Sequence, residues 1–269
     1  NMGVEFSLNA QLFDRDDWSL NLGGNISSNR NKITDLGGRG TIDHAPVNGA
    51  GQTGVNAQRL EAGRPVGSFY GPVFVGIENG EEVYRAEDGG TTTDLGEASR
   101  EYLGDAQPDF DYGFNLDFQY GNFDLGAFFR GSYGAKLFNN TALEFATKGN
   151  LDQGIGVLRE ALTDGTNEDH VPVYSSRWIE DASFFRLDNL TLGYNFPTSS
   201  ELGLRRARAY VSARNVFVIT PYSGYDPEVN TNVSGQDLGF RTIARPARGV
   251  DYTSYPRSRT FTLGVELGF

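Results

Sequence analysis

The chain has 269 residues, a formal charge of −12 and no cysteine. That removes disulfide frameworks and thiolate metal sites, and the acidic balance argues against a nucleic-acid partner, which needs a basic face. No apolar run approaches the roughly 18–20 residues of a spanning helix, but a barrel strand hides only alternate residues in lipid, so a membrane location stays open.

The chain opens on Asn1-Met2-Gly3 with no charged n-region, apolar h-region or cleavage site, and reads as the C-terminal piece of something longer. Residues 3–13 alternate, with Val4, Phe6, Leu8, Ala10 and Leu12 on one face. Residues 17–27 alternate again through Trp18, Leu20, Leu22 and Ile26, after a polar turn at Asp14-Arg15-Asp16-Asp17. Pairing Leu12 with Trp18 sets Ala10 opposite Leu20 and Val4 opposite Ile26, which keeps every apolar residue on one face. A long link, 31–109, follows. Residues 110–120 and 123–133 then form a hairpin around Gly121-Asn122, a type II′ signal. That turn sets Tyr120 opposite Phe123, Phe118 opposite Leu125 and Phe114 opposite Phe129. Aromatic residues sit at both ends of the hairpin, as in the girdles that flank an apolar band.

After a second long link, 134–183, residues 184–196 carry Leu190, Leu192, Tyr194 and Phe196 in phase. Residues 206–219 put Ala207, Ala209, Val211 and Ala213 on one face and Arg208, Tyr210, Ser212 and Arg214 on the other. Arginines spaced by two belong in water, and a wide barrel would line its lumen with them. A third long link, 220–257, leads to residues 258–269. There Phe261, Leu263, Val265, Leu267 and Phe269 alternate to the terminal carboxylate, as a lipid-facing closing strand does.

Alternation over about 10–12 residues exceeds the mean soluble strand of about 5–6 and matches the roughly 9–11 that cross a bilayer at a tilt. Links alternate short and long, so one edge of the sheet carries tight turns and the other carries every large loop. Outer-membrane barrels have this asymmetry. The fold class expected is therefore all-β: a transmembrane antiparallel β-barrel with long extracellular loops. Seven strands do not close such a barrel, so further strands belong upstream.

Five stretches resemble the C-terminal third of SusC/RagA-like TonB-dependent outer-membrane transporters. They are GSFYGPVFVGIE (67–78), YLGDAQPDFDYGFN (102–115), SFFRLDNLTLGYNFP (183–197), YVSARNVFVITPYSGYDPEVN (210–230) and YPRSRTFTLGVELGF (255–269). The Gly-Tyr-Asp-Pro-Glu block and the terminal Phe are the most specific. The resemblance implies a barrel of about 22 strands around a plug. It implies active import of a large nutrient such as an oligosaccharide or peptide, TonB contact through the plug region, and a SusD-like surface lipoprotein as lid. The plug, the TonB-contact segment and the early strands lie outside this sequence.

No catalytic constellation stands out, and no cofactor is implied. His44 and His170 fall in long links and read as solvated loop histidines; an outer-membrane enzyme would need one of them beside a nucleophile. Asp164–Asp169 has the composition of a calcium loop without its spacing. Residues 141–148 and 150–162 read as short loop helices. Among the loop aromatics, Trp178, Tyr222 and Tyr225, with Asp226, are candidate ligand contacts; the same rings serve equally as packing anchors. A passive porin and a soluble β-sandwich are the alternatives to an importer segment.

Overall fold

The computed structural model describes residues 1–198, 203–229 and 247–269. Seven long strands lie side by side in chain order in one antiparallel sheet. They are β1 (Met2–Arg15), β2 (Trp18–Arg30), β3 (Phe110–Tyr120), β4 (Phe123–Tyr133), β5 (Phe184–Phe196), β6 (Arg206–Ile219) and β7 (Thr260–Gly268). The β3–β4 hairpin pairs Tyr120 with Phe123, Phe118 with Leu125 and Phe114 with Phe129. Gly121 takes φ +54°, the left-handed conformation that a II′ turn requires at its first central position.

The first hairpin departs from the expected register. A bulge at Leu12 shifts the pairing, so Phe13 faces Leu20, Ala10 faces Leu22 and Phe6 faces Ile26. The turn tightens to Asp16-Asp17, and the Phe13 and Trp18 rings pack 4.7 Å apart. A second bulge falls at Asp188 in β5, where both flanking registers shift. Phe185 and Leu187 stay in the apolar row before it, and Leu190 and Leu192 resume that row after it.

Among the described residues, nothing forms a second layer over the apolar face of this sheet. Phe6, Leu192, Val265 and Leu263 are 61, 53, 67 and 79% exposed. Two aromatic belts bound the face. One, near the long links, stacks Phe114 on Phe129 at 4.5 Å and Phe129 near Phe185 at 5.6 Å. The other, near the short turns, packs Phe123 against Tyr194 and Tyr194 against Phe196, each at 4.9 Å. Six residues separate Phe114 from Tyr120, a rise of about 20 Å at about 3.3 Å per residue.

The long links hold what the wall lacks, a buried core. Thr41–Pro46, Asn56–Glu61, Ser68–Pro72 and Arg100–Asp105 build one small sheet, and Phe74–Glu78, Glu81–Arg85 and Thr91–Thr92 build another. Lys136–Asn139 pairs antiparallel with Ile179–Asp181 and parallel with Val250–Asp251, joining the second and third links. Ala57 and Phe69 from the first link, Phe138, Leu143 and Tyr174 from the second, and Val250 from the third share one cluster with almost no exposure. The expected loop helices are shorter than their pattern suggested. Helix α1 covers only Asn140–Phe145, capped by Asn139 Oδ1 accepting from the Ala142 N–H at 2.9 Å, and residues 148–153 and 160–163 are 3₁₀ turns. Among the described residues, no helix is long and apolar enough to cross a membrane.

Candidate functional site

The polar face of the sheet divides into two halves. On β1 to β3 it is rich in amides and hydroxyls: Ser7, Asn9, Asn21, Asn25, Ser27 and Asn115. Gly23 makes this possible. The Asn9 and Asn115 carboxamides lean over it from both neighbouring strands, where any Cβ would collide with their oxygens.

On β4 to β7 the face carries charge. Arg208 Nη2 donates to Asp124 Oδ2 at 2.5 Å and Nε donates to Oδ1 at 3.0 Å, while Nη1 reaches Glu266 at 3.2 Å. One guanidinium thereby ties β4, β6 and β7. The bridge passes over β5 at Gly193, where a Cβ would lie 2.5 Å from Asp124 Oδ2 and 2.6 Å from Arg208 Nε.

Near the long links a second cluster binds the third link to the wall. Arg186 on β5 is fully buried. Its Nη2 donates to Asp226 Oδ1 at 2.6 Å, its Nη1 donates to Asn215 Oδ1, and its Nε lies 3.0 Å from Glu228 Oε2. Arg130 on β4 donates from Nε to Asp188 Oδ2 at 3.0 Å and from Nη2 to Glu228 Oε2 at 2.8 Å, with Nη1 on Glu228 Oε1. Two of these contacts form the bidentate fork that suits arginine to carboxylate. Arg257 flanks the group, 3.6 Å from Glu228 and 4.0 Å from Asp226. Asn215 sits at the β6 side of the Asp188 bulge with φ 52°, which is costly for a residue with a side chain. Its amide Nδ2 donates to the Arg257 carbonyl at 2.9 Å, so both ends of the side chain are used. Three arginines and three carboxylates balance. Breaking a buried pair of this kind typically costs about 3–5 kcal/mol, because a charge is left without a partner.

Between this cluster and the amide half lies an open recess of about 510 Å³. Asn25, Asp111, Phe128 and Arg130 line it from the wall, and Pro227 and Glu228 line it from the third link. Two rings at polar-face positions line the recess, Phe128, which is half-exposed, and Phe184, which is buried. A carboxamide (Asn25), two carboxylates (Asp111 and Glu228), the Arg130 guanidinium and aromatic rings together converge on a cavity of ligand size.

A third polar cluster sits within the links. His170 is buried between two carboxylates, with Nδ1 3.0 Å from Glu81 Oε2 and Nε2 3.6 Å from Glu82 Oε2. Glu82 also accepts from Arg177 Nη1 at 2.8 Å, from Tyr84 Oη at 2.6 Å and from the Val173 N–H at 3.1 Å. Burial pushes the Glu82 carboxyl up, but the His170 imidazole beside it and hydrogen bonds from Tyr84, Val173 and Arg177 outweigh that and hold it below its ordinary range. Glu82 in turn raises the His170 imidazole, against an opposing effect of burial and with further help from Glu81. Asp164 is drawn well below the carboxylate range: burial raises it, but bonds from Arg177 and Thr166 prevail. With Arg177 at 2.7 Å and Lys148 at 3.3 Å, the Asp164 carboxylate is held by cations of the chain itself. Nearby in the first link, burial and the Glu61 hydrogen bond push the Tyr102 hydroxyl up to about 12.

The four candidate contacts separate. Trp178 is buried, and its Nε1–H donates to the Val173 carbonyl at 3.0 Å. Tyr222 is buried, and its hydroxyl donates to Asp251 Oδ2 at 2.6 Å. Asp226 is buried on Arg186. Tyr225 alone of the four is open, at 76% exposure. The two histidines correct the expectation of solvated loop residues, since His44 is 4% exposed and the His170 side chain 7%. Asn25, Phe128, Arg130 and Arg186 were not singled out by sequence reasoning. Arg130 and Arg186 had a signal, an arginine at the polar-face position of two neighbouring strands.

An antiparallel wall with an uncovered apolar face, a charged opposite face and one layer of interlocked links is a segment of an outer-membrane barrel. No family model matches the chain. It is 34% identical along its whole length to TonB-dependent receptor P3 of Formosa agariphila, and 31% identical, again over all of it, to TonB-dependent receptor SusC of Bacteroides thetaiotaomicron. It spans only 28 and 26% of those proteins. A chain of the RagAB peptide transporter superposes on 99% of it with a TM-score of 0.76 and 26% identity, using 29% of that chain. The same importer in its 'closed-closed' state gives a TM-score of 0.74. The chain belongs to the SusC/RagA-like TonB-dependent receptors of the outer membrane.

Proposed function

We propose that the chain is the C-terminal barrel part of a receptor that imports a large nutrient across the outer membrane, with TonB supplying the drive through an upstream plug. In this reading Phe261, Leu263, Val265, Leu267 and Phe269 meet acyl chains, and the recess at Phe128 and Arg130 is a ligand-binding surface. A SusD-like surface lipoprotein closes over the interlocked links. Tyr225 is the contact residue of the third link, and Trp178, Tyr222 and Asp226 act by holding that layer in shape. The chain performs no chemistry on its cargo; its relatives are named as receptors.

The observation that carries the reading is an inversion of burial. Strand side chains such as Leu263 are 79% exposed, while link side chains such as Phe69 and Phe138 are fully buried. A wall whose apolar face meets lipid, under a self-supporting outer layer, accounts for both. The test is uptake of labelled peptide and oligosaccharide pools by cells with and without the full-length gene, before and after collapse of the proton-motive force. Gene-dependent uptake that stops on collapse is expected. Gene-dependent uptake that continues would make the protein a passive pore.

A further inference from the structure

Three observations converge on the third link where it meets the wall. The first is a fully buried arginine, Arg186, which donates to Asp226 and Asn215 and whose Nε lies 3.0 Å from Glu228 Oε2 without a hydrogen bond. The second is backbone strain spent at the same point, with Asn215 left-handed inside a strand opposite the Asp188 bulge. The third is placement. Pro227 and Glu228 line the recess together with Asn25 and Phe128 of the wall, and Glu228 is held there by Arg130.

Asp226 precedes proline, which restricts its backbone to extended conformations. Its Oδ1 also accepts from the Glu228 N–H at 2.9 Å, so the two anchoring carboxylates are fixed relative to each other. Upstream, Thr220 Oγ1 donates to the Ser183 carbonyl at 2.8 Å, and Tyr222 is locked on Asp251. Residues 220–228 are therefore pinned at four places, and Tyr225 is their outlying ring.

We infer that Arg130 and Arg186 are positioning residues for the proposed import, fixing the 220–228 arm so that the recess has one width and Tyr225 one place. Arg186 touches the arm and acts on the ligand through it; Arg130 holds the arm while also lining the recess. The inference rests on the reading of the recess as a ligand surface, since a stiff arm matters only if something fits beside it. A wide lumen needs such a device: links that reach into water lose their conformation unless tied to the wall, and ion pairs with forked geometry tie them at a defined distance.

The experiment uses the full-length receptor in native outer-membrane vesicles. Nitroxide labels at Asn25→Cys and Val229→Cys span the recess. Pulsed dipolar spectroscopy should give one narrow distance in the parent. Asp226→Asn with Glu228→Gln should broaden it at least twofold, as should the milder Glu228→Gln alone, the safeguard if the double variant fails to assemble. On cells, uptake of whichever of a casein peptide digest or a mixed neutral oligosaccharide pool the parent consumes should show KM raised about tenfold and Vmax within twofold. A merely structural role would lower Vmax with surface abundance and leave KM alone. An unchanged narrow distance in Glu228→Gln, or a loss confined to Vmax, overturns the inference. Failure of the import reading looks different: uptake then does not depend on the gene, whatever the spin labels report.

Discussion

At the scale of single residues, the chain places charge where removal of one partner is felt at once. His170 offers the clearest pH dependence. Its folded pKa lies above the ordinary 6.5, so the proton-linked stability is complete below that value and is lost as pH climbs through the raised folded one. The imidazolium holds the Glu81–Arg85 strand to the segment around Val173. Amide exchange in 81–85, corrected for intrinsic rates, is therefore expected to quicken as pH rises above 6.5, and His170→Gln is expected to abolish that dependence. A pH-independent profile in the parent protein would refute the clasp. Gly193 makes a second case. Gly193→Val puts a side chain where Arg208 and Asp124 meet and should cost about 1–3 kcal/mol, the usual loss for a disrupted charge-assisted bond. Its measure is a lower temperature for heat-modified mobility of the folded barrel, with Gly126→Val as comparison, since a Cβ at Gly126 meets only ordinary contact.

At the scale of elements, the strands make opposite demands on their two faces. Val265→Arg on the apolar row of β7 should cost about 2–4 kcal/mol if that row lies near mid-bilayer, whereas Thr262→Arg on the other face should be tolerated. The amount of folded receptor in the outer membrane reports both; equal loss would mean that the two faces are not distinguished by lipid. This two-faced alternation is also what the sequence made legible. The β3–β4 hairpin could be placed residue for residue, because a two-residue turn and unbroken alternation leave one register. The first hairpin could not, because Leu12 bulges out and no composition signal marks it; the row then passes from Ala10 to Phe13. In β5 the signal was present. Two successive polar residues, Asp188-Asn189, interrupt the phase where the strand bulges. Reading Phe185 and Leu187 with Leu190 and Leu192 as one row broken there would have put Arg186 inward, next to Arg130, and asked which carboxylates meet them.

At the scale of the whole molecule, the links behave as one body. Their core draws on three segments far apart in sequence, and period-based reading sees only one segment at a time. That is why sequence left Trp178 and Tyr222 open between ligand contact and packing anchor and could not show that they, with Asp226, are buried: aromatic and acidic residues in a loop look alike in either role until the partner segment is known. Shared packing makes a prediction that local reading would not. Phe138→Ala, in the second link, removes a fully buried ring and should cost about 3–5 kcal/mol. Protease cleavage on intact cells should then rise in residues 31–109 of the first link as well as near residue 138. Cleavage confined to 134–183 would show that the links are independent.

The interlocked layer also bears on surface engineering. Epitope tags on bacterial receptors are commonly put into whichever extracellular loop is longest, which here would be 31–109. Ala57 and Phe69 of that loop belong to the shared core, and a graft near Phe69 would split it. The tips at Gly37-Gly38 and Asp88-Gly89 stand clear, their glycines with open space around them. A display cassette belongs at one of those two tips, where foreign sequence leaves the canopy and the channel beneath it undisturbed.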